Sequence, residues 1–304
     1  MLIPRLLVKS HNQLGECIRW HPELERLFWV DIHQAQLWSA DEDGGDVRMS
    51  QLPERIAAFS FSQNPFNLLI SLVSGLAIYN LKNDSIKRLN EFEPQLADTR
   101  LNDGNTDPYG NFVTGGMDED FTRPLSSVIQ VTPQGRVKTL IKEVGCSNSI
   151  CFSPEGKYMY FADTFHKDIW RFHYDAENGM VSNKTLLTRL TDEDGLPDGS
   201  CVDRDGNIWN AQHKGGQVKG YRPDGTVLNR IKLPVSNVTC CCIGGRSGKR
   251  MFITTAWDGM SDQQKVANPH AGGLFCCDLD VQGTGFQVFG NGLDEEFELT
   301  NNQV

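Results

Sequence analysis

Short apolar runs punctuate this chain at near-regular intervals, and none is long enough to be a helix. Leu27-Phe28-Trp29-Val30, Leu68-Leu69-Ile70, Phe112-Val113, Met159-Tyr160-Phe161, Ile208-Trp209 and Met251-Phe252-Ile253 each follow a polar turn. The turns read Trp20-His21-Pro22, Ser62-Gln63-Asn64-Pro65, Asp107-Pro108-Tyr109-Gly110-Asn111, Ser153-Pro154-Glu155-Gly156, Asp203-Arg204-Asp205-Gly206-Asn207 and Gly244-Gly245-Arg246-Ser247-Gly248. Successive copies lie roughly 40 to 50 residues apart, a period typical of propellers and solenoids. Behind each apolar run comes a second strand of common character, as in Gln36-Leu37-Trp38-Ser39, Asp168-Ile169-Trp170-Arg171 or Gln217-Val218-Lys219-Gly220-Tyr221. A third, more polar strand follows, such as Val137-Lys138-Thr139-Leu140. Apolar periodicity of the helical kind never lasts the ~10 residues a helix needs. The pattern predicts an all-β chain: a six-bladed β-propeller of four-stranded blades around a central channel, with residues 1–304 as one domain.

The repeat carries chemistry. Five residues before His21, Asp107, Ser153 and Asp203 stand Glu16, Asn102, Asn148 and Asp198. Equivalent positions of a rotationally repeated fold converge on its axis, so four oxygen-bearing side chains are expected at one channel mouth. Asn and Asp are also common in turns, where they hydrogen-bond the local backbone; their recurrence at one repeat position is what favours a metal site. The second and sixth repeats show Ala57 or Ala58 and Thr239 or Cys240 at this place. Mixed carboxylate and carboxamide oxygen suits a hard divalent cation, Ca²⁺, Mg²⁺ or Mn²⁺, while two carboxylates also admit Zn²⁺ or Fe²⁺. Two residues earlier on an extended strand faces the same side, which brings Arg100 beside Asn102.

These segments resemble a known family. Leu14-Gly15-Glu16-Cys17-Ile18-Arg19-Trp20 is similar to the LGEGPxW opening of the senescence-marker-protein/gluconolactonase/regucalcin-like family. Arg100-Leu101-Asn102-Asp103-Gly104 resembles its RxNDG segment, Ser147-Asn148-Ser149-Ile150-Cys151-Phe152-Ser153-Pro154 its SNGLxFSP segment, and Pro197-Asp198-Gly199 its PDG. Asp258-Gly259-Met260 and Ala271-Gly272-Gly273-Leu274-Phe275 continue the likeness in order. The resemblance implies a six-bladed propeller that hydrolyses a sugar lactone with one divalent metal. It assigns Glu16, Asn148 and Asp198 as metal ligands and Arg100 and Asn102 as substrate-binding residues. Two departures stand out: Cys17-Ile18 replaces Gly-Pro after Glu16, and Ser149 replaces Gly after Asn148.

On this reading the cation polarises the lactone carbonyl and lowers the pKa of a bound water. Asp198 is the candidate general base, and hydroxide on the metal is the alternative. Three other functions stay open: a calcium-binding regulator without catalysis, a phosphotriesterase- or arylesterase-like hydrolase with a similar metal, and an interaction scaffold. Polar donors at the mouth, Arg100 and Asn102, favour a polyhydroxylated substrate over an apolar one. Glu119, His213, Lys214 and Trp257 are expected on the specificity rim. The long polar segment 261–270 reads as part of it.

Composition narrows the field. A net charge of −10 opposes a nucleic-acid surface, which needs a basic patch. No window approaches the ~20 apolar residues of a membrane span. Nine cysteines, among them the contiguous Cys240-Cys241-Cys242 and Cys276-Cys277, lack the spacing of a disulfide or zinc framework. They read as buried thiols of a cytoplasmic protein, with strand neighbours on opposite faces. No Gly-x-Ser-x-Gly elbow suggests a serine hydrolase. The substrate expected is a small sugar lactone; oligomeric state is not readable.

Overall fold

The computed structural model describes residues 2–290; the expected domain, 1–304, runs past them at both ends. The strands form six sheets, all antiparallel within their four principal strands, and the fold is a six-bladed β-propeller. Each recurrent turn joins the innermost strand of a blade to the next. The inner strands are Gly15–His21, Ile56–Ser62, Thr99–Thr106, Ser147–Phe152, Leu196–Val202 and Val238–Gly244.

The turns hold because their leading polar residue hydrogen-bonds the hairpin. Asp107 Oδ1 accepts from the N–H groups of Tyr109 and Asn111 at 2.8 and 2.9 Å. Asp203 repeats this with Asp205 and Asn207 at 3.0 and 2.9 Å. Gly110 and Gly206 close the turns at φ of 86° and 82°, a region open to glycine without a Cβ clash.

The chain divides into two compact units: Met1–Ile56, Lys167–Ile169 and Leu186–Phe286, and Ala57–His166, Trp170–Thr185 and Gln287–Val304. In the first unit, the fifth and sixth blades bury Trp209, Val218, Cys241, Ile253, Phe275 and Cys277 between them. The sixth and first blades bury Ile18, Trp29, Cys240, Phe252 and Cys276. Neighbouring cysteines thus enter different cores, as strand alternation requires. None of the nine is in a disulfide. In the second unit, Val113, Val128, Ile150, Phe161 and Phe172 fill the core of the third and fourth blades.

Two features were not legible in the repeat pattern. The outer strand of the sixth blade is Arg5–Val8, from the other end of the chain, paired antiparallel with Leu274–Asp278. The segment after Leu279 docks on the recurrent turns. In the first unit Gly283 N–H donates to Gly248 O at 3.0 Å and Phe286 packs on His21 with ring centroids 4.8 Å apart. In the second, Val288–Phe289 pairs in parallel with Ile56–Ser62, and Gly290 N–H donates to Gly110 O at 3.1 Å.

His21 is only 1% exposed, and its Nδ1 accepts from Leu24 N–H at 3.3 Å. Burial lowers its pKa to about 4. Between pH 6.5 and 4 the unfolded chain therefore binds a proton that the folded chain refuses, so His21 makes stability fall as pH drops through that window. The urea midpoint should decline more steeply from about pH 7 to about pH 4.5 in the wild type than in His21→Gln. Parallel slopes would show that His21 is not a source of the decline.

Candidate functional site

The inner strands do not run as unbroken ladders. Register shifts interrupt the pairing between Glu16 and Arg19, Leu101 and Asp103, Asn148 and Cys151, Pro197 and Ser200, and Val238 and Cys240. In five blades, then, a β-bulge falls at or just after the repeat position that carries Glu16, Asn102, Asn148 and Asp198. A bulge leaves the extra residue unpaired, bends the strand and re-aims the side chains beside it. In the sixth blade the bulged residue is Thr239, which resolves the register left open between Thr239 and Cys240.

The bulge shows what two of the departing residues, Cys17 and Ser149, have to accommodate. Cys17 and Ser149 have φ of 46° and 61°, the left-handed region where a Cβ is unfavourable. Glycine suits both places, and this chain carries the strain of a side chain instead. Gly199 answers a different demand: a Cβ there would lie 2.5 Å from Cys240 Sγ.

A broken ladder exposes backbone groups that need partners, and side chains supply them. In the first unit Thr239 Oγ1 donates to Gly15 O at 2.5 Å, beside Glu16. Asn210 Nδ2 donates to Asp198 O at 2.9 Å and to Ser200 Oγ at 3.0 Å. In the second unit Asn102 Nδ2 donates to Ser147 O at 2.9 Å, and Asp103 Oδ2 accepts from Ile150 N–H at 2.9 Å. The strand starts are fastened as well. Asp31 accepts from the N–H groups of Gln13 and Leu14 at 2.7 and 3.1 Å; Asp163 accepts from those of Gly145 and Cys146, both at 3.0 Å. Asp31 and Asp163 each lie fifteen residues past a candidate ligand. The repeat marks that position without revealing its role.

In the first unit, Glu16 Oε2 accepts from Cys17 N–H at 3.0 Å, and Asp198 is 8% exposed. Across the ladder from Leu196 stands His213. Burial, with Lys214 adding to it, lowers the His213 imidazole to about 4, so it is neutral at ordinary pH. Lys214 is exposed. Trp257 donates its indole N–H to His11 O at 3.1 Å and carries Lys265 Nζ 4.5 Å above its ring. Lys265 belongs to the helix Asp262–Ala267, so the expected polar rim segment contains a short helix capped by Ser261.

In the second unit Arg100, Asn102 and Asn148 form one chain of hydrogen bonds. Arg100 Nη1 donates to Asn102 Oδ1 at 2.9 Å, and Asn102 Nδ2 reaches Asn148 Oδ1 at 3.4 Å. Asn148 Nδ2 donates to Thr164 Oγ1 at 2.8 Å, which fixes the carboxamide with its oxygen on the Asn102 side. Arg100 is 4% exposed, and its Nε lies 3.7 Å from Glu119 Oε2. Two of the expected substrate and rim residues, Arg100 and Glu119, are thus brought together.

Among the described residues, no three His, Cys, Asp or Glu side chains form a metal-holding group. The set expected from the sequence has only two such residues, and its third donor is a carboxamide. Two carboxylates and an amide oxygen whose nitrogen is engaged elsewhere suit a hard cation. Donor chemistry therefore fits.

The sequence profile described as SMP-30/Gluconolactonase/LRE-like region matches residues 14–257. The chain belongs to the SMP-30/Gluconolactonase/LRE-like family. Within known proteins it is 40% identical over 273 residues to an L-arabinolactonase of Azospirillum brasilense, covering 89% of this chain and 90% of that one. It is 29% identical over 286 residues to a 6-deoxy-6-sulfogluconolactonase of Pseudomonas putida, covering 94% and 98%. A solved structure described as a calcium-binding protein, regucalcin, from Agrobacterium tumefaciens superposes with a TM-score of 0.90 at 28% identity, covering 95% and 98%. The six-bladed propeller expected from the repeat is the fold of this family member.

Asn210 was not visible as a site residue in the sequence, because a polar residue inside an apolar strand run gives no signal of what it touches. Asn210→Leu removes the donor to Asp198 O and leaves a buried carbonyl unsatisfied, at a cost of about 1–3 kcal/mol. Denaturant midpoints measured at neutral pH check this. A change within ~0.5 kcal/mol, the usual range of an inconsequential surface substitution, would show that the bulge does not depend on Asn210.

Proposed function

We propose that this chain hydrolyses a sugar 1,4- or 1,5-lactone to the aldonic acid with one divalent cation, held by Glu16, Asn148 and Asp198. The observation that carries the reading is the recurrence of an oxygen side chain on a bulge at the same repeat position of different blades. Relatives named for lactone hydrolysis, one of them for an arabinose-derived lactone, support the substrate class.

Bound there, the cation supplies Lewis-acid polarisation of the lactone carbonyl. Arg100 offers N–H donors from a guanidinium already oriented by Leu101 O, Asn102 and Glu119, so little ordering entropy is lost when it meets substrate oxygen. Asn102 presents both a donor and an acceptor to hydroxyl groups. Asp198 takes a proton from the attacking water. Water oxygen bonds to the carbonyl carbon, the ring C–O bond breaks, and the former ring oxygen receives the proton back from Asp198 and becomes a hydroxyl. Exposed Lys214, with His213 and Trp257, faces the variable part of the substrate on this reading.

Stripping with a chelator should abolish lactone hydrolysis, and adding back a divalent cation should restore it; full activity after verified removal would sink the metal-dependent reading. Asp198→Ala should lower kcat by at least ~100-fold, the usual scale for a lost general base, with an unaltered melting profile. A panel of gluconolactone, galactonolactone, arabinonolactone and paraoxon separates a sugar lactonase from an aryl- or phosphotriester hydrolase. Tight calcium binding with no turnover on any of them would favour the regulator instead.

Changing Trp257 or Lys214 should alter the preference among lactones while metal binding survives, and steady-state kinetics of Lys214→Ala on neutral and anionic lactones tests whether its cation selects for charge. Equal effects on both would remove Lys214 from the account of selectivity.

A further inference from the structure

Nine cysteines are left unused by the chemistry above, and two of them make a contact of unusual kind. Cys201 Sγ and Cys241 Sγ are 3.7 Å apart. Cys201 lies on the inner strand of the fifth blade, three residues past Asp198; Cys241 lies on the inner strand of the sixth. Both strands belong to the first unit. The two thiols differ in environment. Cys201 is half-buried. Cys241 is 2% exposed, and its thiol donates to Trp209 O at 3.2 Å.

We propose that Cys201 and Cys241 are a peroxide-sensitive pair that closes into a reversible disulfide between the fifth and sixth blades and thereby slows the Asp198 site. The order of events follows from access. Cys201, the more exposed thiol, gives up its proton and attacks one oxygen of the peroxide. The O–O bond breaks, giving a sulfenic acid at Cys201 and one water. Cys241 sulfur then attacks the Cys201 sulfur, the S–OH bond breaks, and the hydroxide leaves with the Cys241 proton as a second water. In sum two thiols and one hydrogen peroxide become one disulfide and two waters; sulfur is oxidised and peroxide oxygen reduced. The Cys241 thiol, in contact with Cys201 and fully buried, is held well above its usual pKa, so it is not the thiol that meets the peroxide first.

Closure must bring the sulfurs from 3.7 Å to about 2.05 Å. The shortening falls where the fit is already tight: Gly199 lies against Cys240 Sγ, with no room for a Cβ between them. Drawing the two strands together there shifts the bulge that presents Asp198 and strains the bond from Asn210 to Asp198 O. The coupling to turnover rests on the lactonase reading. The bond itself does not.

The test treats the reduced protein with hydrogen peroxide, alkylates the remaining thiols, and maps peptides without reductant. The expected result is a joined peptide pair through Cys201 and Cys241 and the loss of two titratable thiols. Lactone hydrolysis should fall severalfold in step and recover on adding dithiothreitol. Cys201→Ser and Cys241→Ser should each abolish both responses. Peroxide that yields only sulfinic acid at Cys201, or a bond between other cysteines, overturns the proposal whether or not the serine variants fold. A Cys201–Cys241 bond with unchanged turnover, in a protein that hydrolyses lactones when reduced, overturns its control of the site. A reduced protein with no lactone hydrolysis counts against the function proposed above, and the peptide map still decides the bond.

Discussion

The constraint on which the site depends is a backbone one: a strand cannot take an extra residue into its pairing, as a bulge does, and keep every ladder hydrogen bond. The inner strands give up pairing at or just after the places that carry Glu16, Asn102, Asn148 and Asp198. An interruption would leave buried polar groups unpaired, and at three of these places a specific neighbour meets them: Thr239 at Gly15, Asn102 and Asp103 around Asn148, and Asn210 at Asp198. Asn102 has a double part, since the amide that steadies the fourth blade also meets Arg100 and Asn148.

Strain and packing around the bulges follow from this. Left-handed backbone at Cys17 and Ser149 stores a cost of about 1–2 kcal/mol at each, which the surrounding core must offset. Cys17 is 3% exposed and Ser149 fully buried, so both sit where packing is dense enough to do so. The same closeness accounts for Gly199, where glycine is required by the Cys240 side chain and not by φ.

Much of the fold was legible because it repeats. The turn phrases, the apolar runs and the second strands recur in order, and strand alternation needs no long-range information. The oxygen positions were legible for the same reason, as places where the repeat keeps a polar type. What escaped was contact between distant parts of the chain. Asn210 reads as a polar residue in a strand, and Asp31 and Asp163 as strand ends, until the backbone N–H groups they accept from are seen. The helix Asp262–Ala267 is six residues long, too short for periodicity to reveal, and depends on the Ser261 cap. Arg5–Val8 carries no mark of belonging to the sixth blade. Its apolar residues say only that something covers them.

That last strand has a bearing on how the molecule assembles. Ser10 Oγ donates to Gly272 O across a separation of 262 residues, and the neighbouring ladder spans a similar distance. The four principal strands of the other five sheets come from adjacent segments, so they gain contacts over short loops whose closure is entropically cheap. The sixth cannot be completed before Leu274–Asp278 has been synthesised, and until then Arg5–Val8 waits with its strand edges unpaired. Such an edge templates pairing with another chain. The vulnerable interval is therefore the one before Arg5–Val8 and Leu274–Asp278 meet. Crowded synthesis lengthens exposure to the wrong partner, and conditions that slow the final docking raise aggregation without altering the stability of the finished fold.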